Sequence, residues 1–401
     1  MAALQEASAP HGSPGGAPGR VIAILKAKEA FVTSQHSATP AQLAQFLRSM
    51  RDELLPLVRS CPPEVTRQLT KGFHFVGWDV KTNKSSRPTP PKLEQLQYMI
   101  AKCRANVEEY MEKLGDSAQP TPEELADDSL SLACSRLWSL DVHRLVPGID
   151  YEIDLQEGKK PYETGDRADS PLFKWVDLEV MSRPTWASFI ALLDNYEATE
   201  GKAEKVTRAE IAEESAFLDH NLKMPCLRYA HHYLAKKGKA PADLAGFKKQ
   251  VHDLWFGLYR RKVPNDSSGF EHVFVGEEKN GEIIGLHNWV QYYLEEQKSK
   301  INYLGWTGRQ DSDYSDDVHL VTVKFSWQDD DPLVEVKPMS TFLCGSTVEF
   351  EMAALTMAFL GGNQNGDNTM RLGNESILIK CYSQRTRYGS KIGTAYIEIA
   401  K

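Results

Sequence analysis

The sequence predicts an α+β fold: a helical N-terminal portion, then a portion of antiparallel sheets with embedded helices. Three observations carry this. Apolar residues recur at helical spacing through most of the first 264 residues. After about residue 265 the pattern changes to alternation punctuated by turn signals. The elements do not alternate strand and helix, as a doubly wound sheet requires.

Residues 1–20, rich in Ala, Gly, Pro and Ser, read as a disordered tail. Residues 21–120 read as a helical extension. Thr39, Pro40 and Gln42 supply an N-cap, a first-turn proline and a capping-box glutamine. Leu43, Phe46, Leu47, Met50, Leu54 and Val58 follow on one helical face. A second helix is expected from Thr89-Pro90 through Leu93, Leu96, Ile100, Cys103, Val107, Tyr110 and Leu114, with Gly115 as its stop.

Polar, turn-rich Asp116–Pro122 marks a boundary near residue 120, and residues 121–401 form the second part. Its helical lobe, 121–264, opens with the capping box Thr121–Glu124, whose helix is expected to continue through Leu132 and Trp138. Further helices are expected at Thr185–Leu193, Glu210–Asn221, Leu227–Lys237 and Ala242–Tyr259. In the β-rich lobe, 265–401, Phe270, His272 and Phe274 alternate with Glu271 and Val273 as on a strand. Asn280-Gly281 is a hairpin turn signal. A helix is expected over Leu286–Glu296, a strand over Val321–Trp327, and a helix from Gly345-Ser346 to Phe359. The last strands are expected near Ile377–Tyr382 and Ile392–Ile399.

The chain's 401 residues, 41% hydrophobic and 25% charged, suit a globular protein with a sizeable core. No apolar run is long enough to span a membrane. Six scattered cysteines without a CxxC pair argue against a zinc module or a disulfide scaffold. With no signal-peptide pattern, a reducing, cytoplasmic setting is the expectation. A net charge of −8 counts against a nucleic-acid partner, but its distribution qualifies that. Lys223–Lys262 holds ten Lys/Arg against Asp243 and Asp253; Ser376–Ile397 holds Lys380, Arg385, Arg387 and Lys391 and no acid. A local basic surface is one reading of the first stretch, and solvated helix faces the other.

His272 and His287 are fifteen residues apart across the expected hairpin. Histidine moves protons near neutral pH, and two at one site can serve as base and acid. The spacing is unlike the i, i+4 pattern of a helical metal site, and no third ligand lies nearby. A phosphodiester cleaved by its own 2′-hydroxyl needs such a pair plus a cation against the charge growing on phosphorus. Lys324 and Lys337 are both candidates; Lys337, where an extended segment meets a loop, is slightly favoured. His231-His232 reads as structural or as part of the basic face.

Six blocks also resemble a known family in order and spacing: Asp141–Gly148, Pro171–Phe173, Arg183–Phe189, Phe270–Glu277, Gly285–Trp289 and Gly393–Tyr396. They look like the EndoU family of uridylate-preferring endoribonucleases, including placental-protein-11-like animal members, over about residues 125–401. The resemblance implies cleavage of single-stranded RNA at uridylates, leaving 2′,3′-cyclic phosphate and 5′-hydroxyl ends. By the same resemblance His287 is the base, His272 the acid and Lys337 the third catalytic residue. Ser346 would hydrogen-bond the uracil, and Tyr396 would pack on the nucleotide with Thr394 beside it. Ser346 and Tyr396 also have ordinary structural readings, as a helix cap and as strand packing.

The resemblance further implies stimulation by Mn²⁺ or Ca²⁺ from a site away from the histidines, its ligands unassigned. Asp311, Asp313, Asp316, Asp317 and Asp329–Asp331 are oxygen-rich, but solvated charge runs are the plainer reading. The Cys-rich modules and signal peptide of several secreted members are not seen. A monomer is expected. The competing readings are an RNA-binding protein with weak or no cleavage, and a metal-dependent hydrolase built on the acid clusters.

Overall fold

A computed structural model describes residues 16–58, 61, 63–79, 84–86, 91–145, 150–178, 180–197, 199–311, 319–328, 335–372, 375–387 and 389–400. They fall into two compact units. One runs through Ser117 and takes in Val142–Val146 and Leu178–Arg183; the other comprises Ala118–Asp141, Pro147–Asp177 and Pro184–Lys401.

The first unit is helical: α1 (Gly16–Ser34), α2 (Pro40–Val58), α3 (Pro63–Phe75) and α4 (Leu93–Ser117), with a short ladder of β1 (Trp78–Asp79) and β2 (Lys84–Ser85). The expected capping box is present: Thr39 N donates to Gln42 Oε1 at 2.8 Å, and Gln42 N to Thr39 Oγ1 at 3.3 Å. Leu43, Phe46, Leu47, Met50 and Leu54 are buried along α2, and Leu96, Ile100, Cys103 and Val107 along α4. The last residues of the tail expected over 1–20 are helical instead. Helix α1 already begins at Gly16, because Val21, Ile24 and Leu25 bury one face and carry the preceding turn with them. Residues 1–15, and the start expected at Thr89-Pro90, lie outside the described residues.

In the second unit, α5 (Pro122–Ala126) carries the Thr121–Glu124 capping box but stops short. Asp127 breaks it: Oδ1 accepts from Ser129 N and Oγ, Oδ2 accepts from Leu132 N, and Leu130 turns left-handed (φ 62°). A separate helix α6 (Ser131–Leu140) follows, where one continuous helix is expected from sequence. The strands β3 (Tyr151–Ile153) and β4 (Phe173–Val176) pair antiparallel. Helices α7 (Pro184–Ile190), α8 (Arg208–Asn221), α9 (Pro225–Lys236) and α10 (Leu244–Trp255) match the expected positions within a few residues at their ends.

Correction comes at the first histidine. Residues Glu271–Val275 form one π-helical turn, not a strand, closed by Gly276 N to Glu271 O at 2.8 Å. Alternation misleads here because both sets of residues are buried: Phe270, Val273, Phe274 and Val275 are core, and Glu271 and His272 are enclosed with them. The wound turn stacks Phe270 near Phe274 (centroids 5.0 Å apart), an i, i+4 contact that a strand cannot make.

The β5 (Glu277–Lys279) and β6 (Glu282–Ile284) hairpin is as expected, with positive φ at Asn280 (55°) and Gly281 (81°), the pair a type I′ turn needs. After α11 (Trp289–Gln297) come two three-stranded antiparallel meanders. One is β7 (Ile301–Asp311), β8 (His319–Trp327) and β9 (Glu335–Cys344); the other is β10 (Asn365–Leu372), β11 (Glu375–Thr386) and β12 (Gly389–Ile399). Between them α12 (Val348–Gly361) is buried along all but its last two residues and packs on α9 and α6. No helix among the described residues is long and apolar enough to cross a membrane.

Candidate active site

The candidate site lies within the second unit. Backbone hydrogen bonds clamp the two histidine segments together. Leu286 N donates to His272 O at 3.0 Å, and His287 N donates to Val273 O at 2.8 Å. So close an approach needs Gly285: a Cβ there would lie 1.8 Å from His272 O, and φ is +68°. Leu286 is held left-handed (φ 53°), a strained state for a non-glycine residue. Asn288 then caps α11 through Val290 N and Gln291 N, fixing His287 one residue ahead of the helix cap.

Lysine Lys337 enters from β9. Opposite it, β8 advances two residues (Val323 to Phe325) while β9 advances three (Lys337 to Ser340). This bulge at Pro338-Met339 breaks the alternation and puts Lys337 and Ser340 on the same buried side. Lys337 Nζ reaches Ile283 O (3.4 Å), and Ser340 Oγ donates to Leu286 O (2.5 Å). Burial holds the Lys337 ammonium down to about 8. Lys324 points elsewhere, donating to Pro161 O and Glu163 O at 2.9 Å each. Of the two lysines, Lys337 is the one brought to the histidines.

Electrostatics differ at the two rings. Burial, then the charges of Lys337 and His272, hold His287 well below the ordinary histidine value. Burial also lowers His272, but Glu277 opposes it: His272 Nδ1 lies 2.5 Å from Glu277 Oε2. Burial pushes Glu277 up, yet its hydrogen bond to His272 and the His272 and Arg261 charges hold it below the usual carboxylate range. Arg261 lies 3.4 Å from Glu277 and donates to Gly393 O at 2.7 Å, tying this pair to β12.

On β12, Tyr396 stacks on His287 with centroids 4.3 Å apart and planes 9° apart. Two residues earlier, the Thr394 hydroxyl is buried with no partner among the described residues. Ser346 is not the helix cap of its ordinary structural reading. The cap of α12 is Thr347, while Ser346 is fully buried, its Oγ 2.6 Å from both Leu343 O and Glu351 Oε1.

Geometry of this kind, two clamped imidazoles beside a buried ammonium, can be compared with known proteins. Residues 129–397 match the family model described as Endoribonuclease XendoU. A poly(U)-specific endoribonuclease of Xenopus tropicalis is 42% identical over 281 residues, 67% of this chain and 92% of the relative. The chain belongs to the XendoU family. A uridylate-specific endoribonuclease B of Danio rerio is 40% identical over 280 residues, covering 67% of this chain and 95% of that one. A solved structure, titled as that of XendoU, a splicing-independent snoRNA-processing endoribonuclease, shares 40% identity at a TM-score of 0.58. It covers 68% of this chain and 97% of its own.

Within this XendoU-family chain, three site residues escape a reading of the sequence alone. Glu277 ends the Phe270–Glu277 block, so its signal is present, but only the hairpin shows that it turns back on His272. Arg261 sits in a basic stretch with nothing to single it out. Ser340 is hidden because strict alternation pairs Lys337 with Met339. Among the described residues no group of three or more His, Cys, Asp or Glu could hold a metal ion. The candidate acids Asp313, Asp316, Asp317 and Asp329–Asp331 lie outside the described residues.

Proposed function

We propose that this chain cleaves single-stranded RNA at uridylates by transesterification. His287 takes the 2′-hydroxyl proton, and the 2′-oxygen attacks phosphorus. The bond to the 5′-oxygen breaks as His272 protonates it, leaving a 2′,3′-cyclic phosphate and a 5′-hydroxyl end. The Lys337 ammonium offsets charge growing on the phosphorane. One observation carries the reading: two imidazoles clamped at Leu286–His272 and His287–Val273, with one buried lysine lowering the proton affinity of both. Depressed and buried, His287 is neutral at neutral pH, as a base must be; at His272 burial also lowers the proton affinity, and Glu277 offsets part of that, which extends the range in which the acid keeps its proton.

Tyr396 packs on the nucleotide, and the unpartnered Thr394 hydroxyl is available to it. Base selection by Ser346 requires its hydroxyl to leave Leu343 or Glu351; an unchanged uridine preference in Ser346→Ala removes it from that role. Mn²⁺ or Ca²⁺ stimulates cleavage without taking part in it, so activity in chelator is reduced but not abolished. The deciding measurement is the end-group chemistry of a cleaved uridine-containing oligonucleotide. Cyclic phosphate and 5′-hydroxyl ends support the mechanism; 3′-hydroxyl and 5′-phosphate ends overturn it.

A further inference from the structure

A serine hydroxyl has one proton to give and two lone pairs to receive. At Ser340 that proton is committed, since Leu286 O, 2.5 Å from Oγ, can only accept. The same Oγ lies 3.5 Å from Nδ1 of His287. Toward the imidazole it therefore presents a lone pair. A neutral ring with its own lone pair on Nδ1 would set two acceptors facing each other in a buried site. A ring protonated at Nδ1 instead donates to Oγ. The contact is long for a hydrogen bond, as such bonds often are before substrate tightens them.

We propose that Ser340 is a positioning residue that holds neutral His287 in its Nδ1–H tautomer, so that the Nε2 lone pair is the base for the substrate hydroxyl. This rests on the reading of His287 as base and adds what makes one nitrogen the reactive one. Two further features support the role. The hydroxyl anchors the carbonyl of left-handed Leu286, the peptide immediately before His287, so one side chain sets both backbone and ring. Tyr396, stacked on the ring, fixes the plane in which the two nitrogens lie. The bulge in β9 delivers Ser340 to this place beside Lys337.

The test is a long-range ¹H–¹⁵N correlation spectrum of the full chain, read at the His287 ring where it is neutral. The expected result is a protonated Nδ1 and a bare Nε2 in the wild type; a protonated Nε2 there overturns the proposal and needs no variant to fold. Ser340→Ala should mix the two tautomers and lower kcat about tenfold with KM changed less than about twofold. Ser340→Thr, which keeps the hydroxyl, should restore the single tautomer and most of kcat. An unchanged tautomer and kcat in Ser340→Ala overturns the idea. Full cleavage by His287→Ala instead defeats the underlying reading, whatever the tautomer proves to be.

Discussion

At the scale of the residue, the site is a set of pKa values moved by burial and answered by particular charges. His287→Ala and His272→Ala should each reduce kcat by about 100-fold or more, with circular dichroism unchanged; full activity in either variant excludes its role. For the free enzyme, the base works once His287 has lost its proton and the acid works while His272 keeps its own. Both are lowered, so the kcat/KM optimum should lie below pH 6.5, the ordinary histidine value. A further fall should follow above pH 8, where Lys337 loses its charge. Glu277→Gln removes the carboxylate that opposes burial at His272, so the descending limb should move to lower pH. An unmoved limb would mean that another group is the acid.

At the scale of the element, short irregular pieces do the positioning. One π-helical turn, one left-handed peptide and one bulge aim His272, His287 and the Lys337–Ser340 pair. Gly285→Ala tests this directly. Its Cβ would overlap the His272 carbonyl in a positive-φ conformation, and a loss of more than about 2 kcal/mol is expected by denaturant unfolding. Loss of activity with unchanged stability would instead point to a local rearrangement. Trp289 holds the other end: its ring packs near Tyr151, Phe173 and Trp186, and its Nε1 donates to Ser346 O at 2.9 Å. Much of this scale escapes the sequence. Capping boxes at Thr39 and Thr121 act between residues three apart, so they can be read directly. The π turn is packed on all sides, which leaves no periodicity to read, and the bulge at exposed Pro338-Met339 interrupts the alternation a strand would show.

For the whole molecule, the buried carboxyl of Glu351 ties the segments together, accepting from Asn288 Nδ2 at 2.9 Å while lying 2.6 Å from Ser346 Oγ. Burial raises it to about 8. Since the folded chain holds this proton more tightly than the unfolded chain, the contribution is complete below pH 4.5 and declines as pH rises toward 8. The slope approaches about 1.4 kcal/mol per pH unit for one proton. Glu351→Gln should flatten this part of the stability profile; an equally steep profile in the variant would assign the proton elsewhere. The α+β class, most of the helices, the strands at Val321–Trp327, Ile377–Tyr382 and Ile392–Ile399, the Asn280-Gly281 hairpin and the candidates His272, His287 and Tyr396 in the matching blocks are legible in the sequence. Each rests on local periodicity, turn chemistry or a contiguous block. Tertiary structure brings Lys337 rather than Lys324 to the histidines, in line with the family resemblance, and it alone brings Glu277, Arg261 and Ser340 there and encloses Ser346 away from solvent. Those outcomes depend on which chain segments touch, and contact between distant segments leaves no period in a sequence.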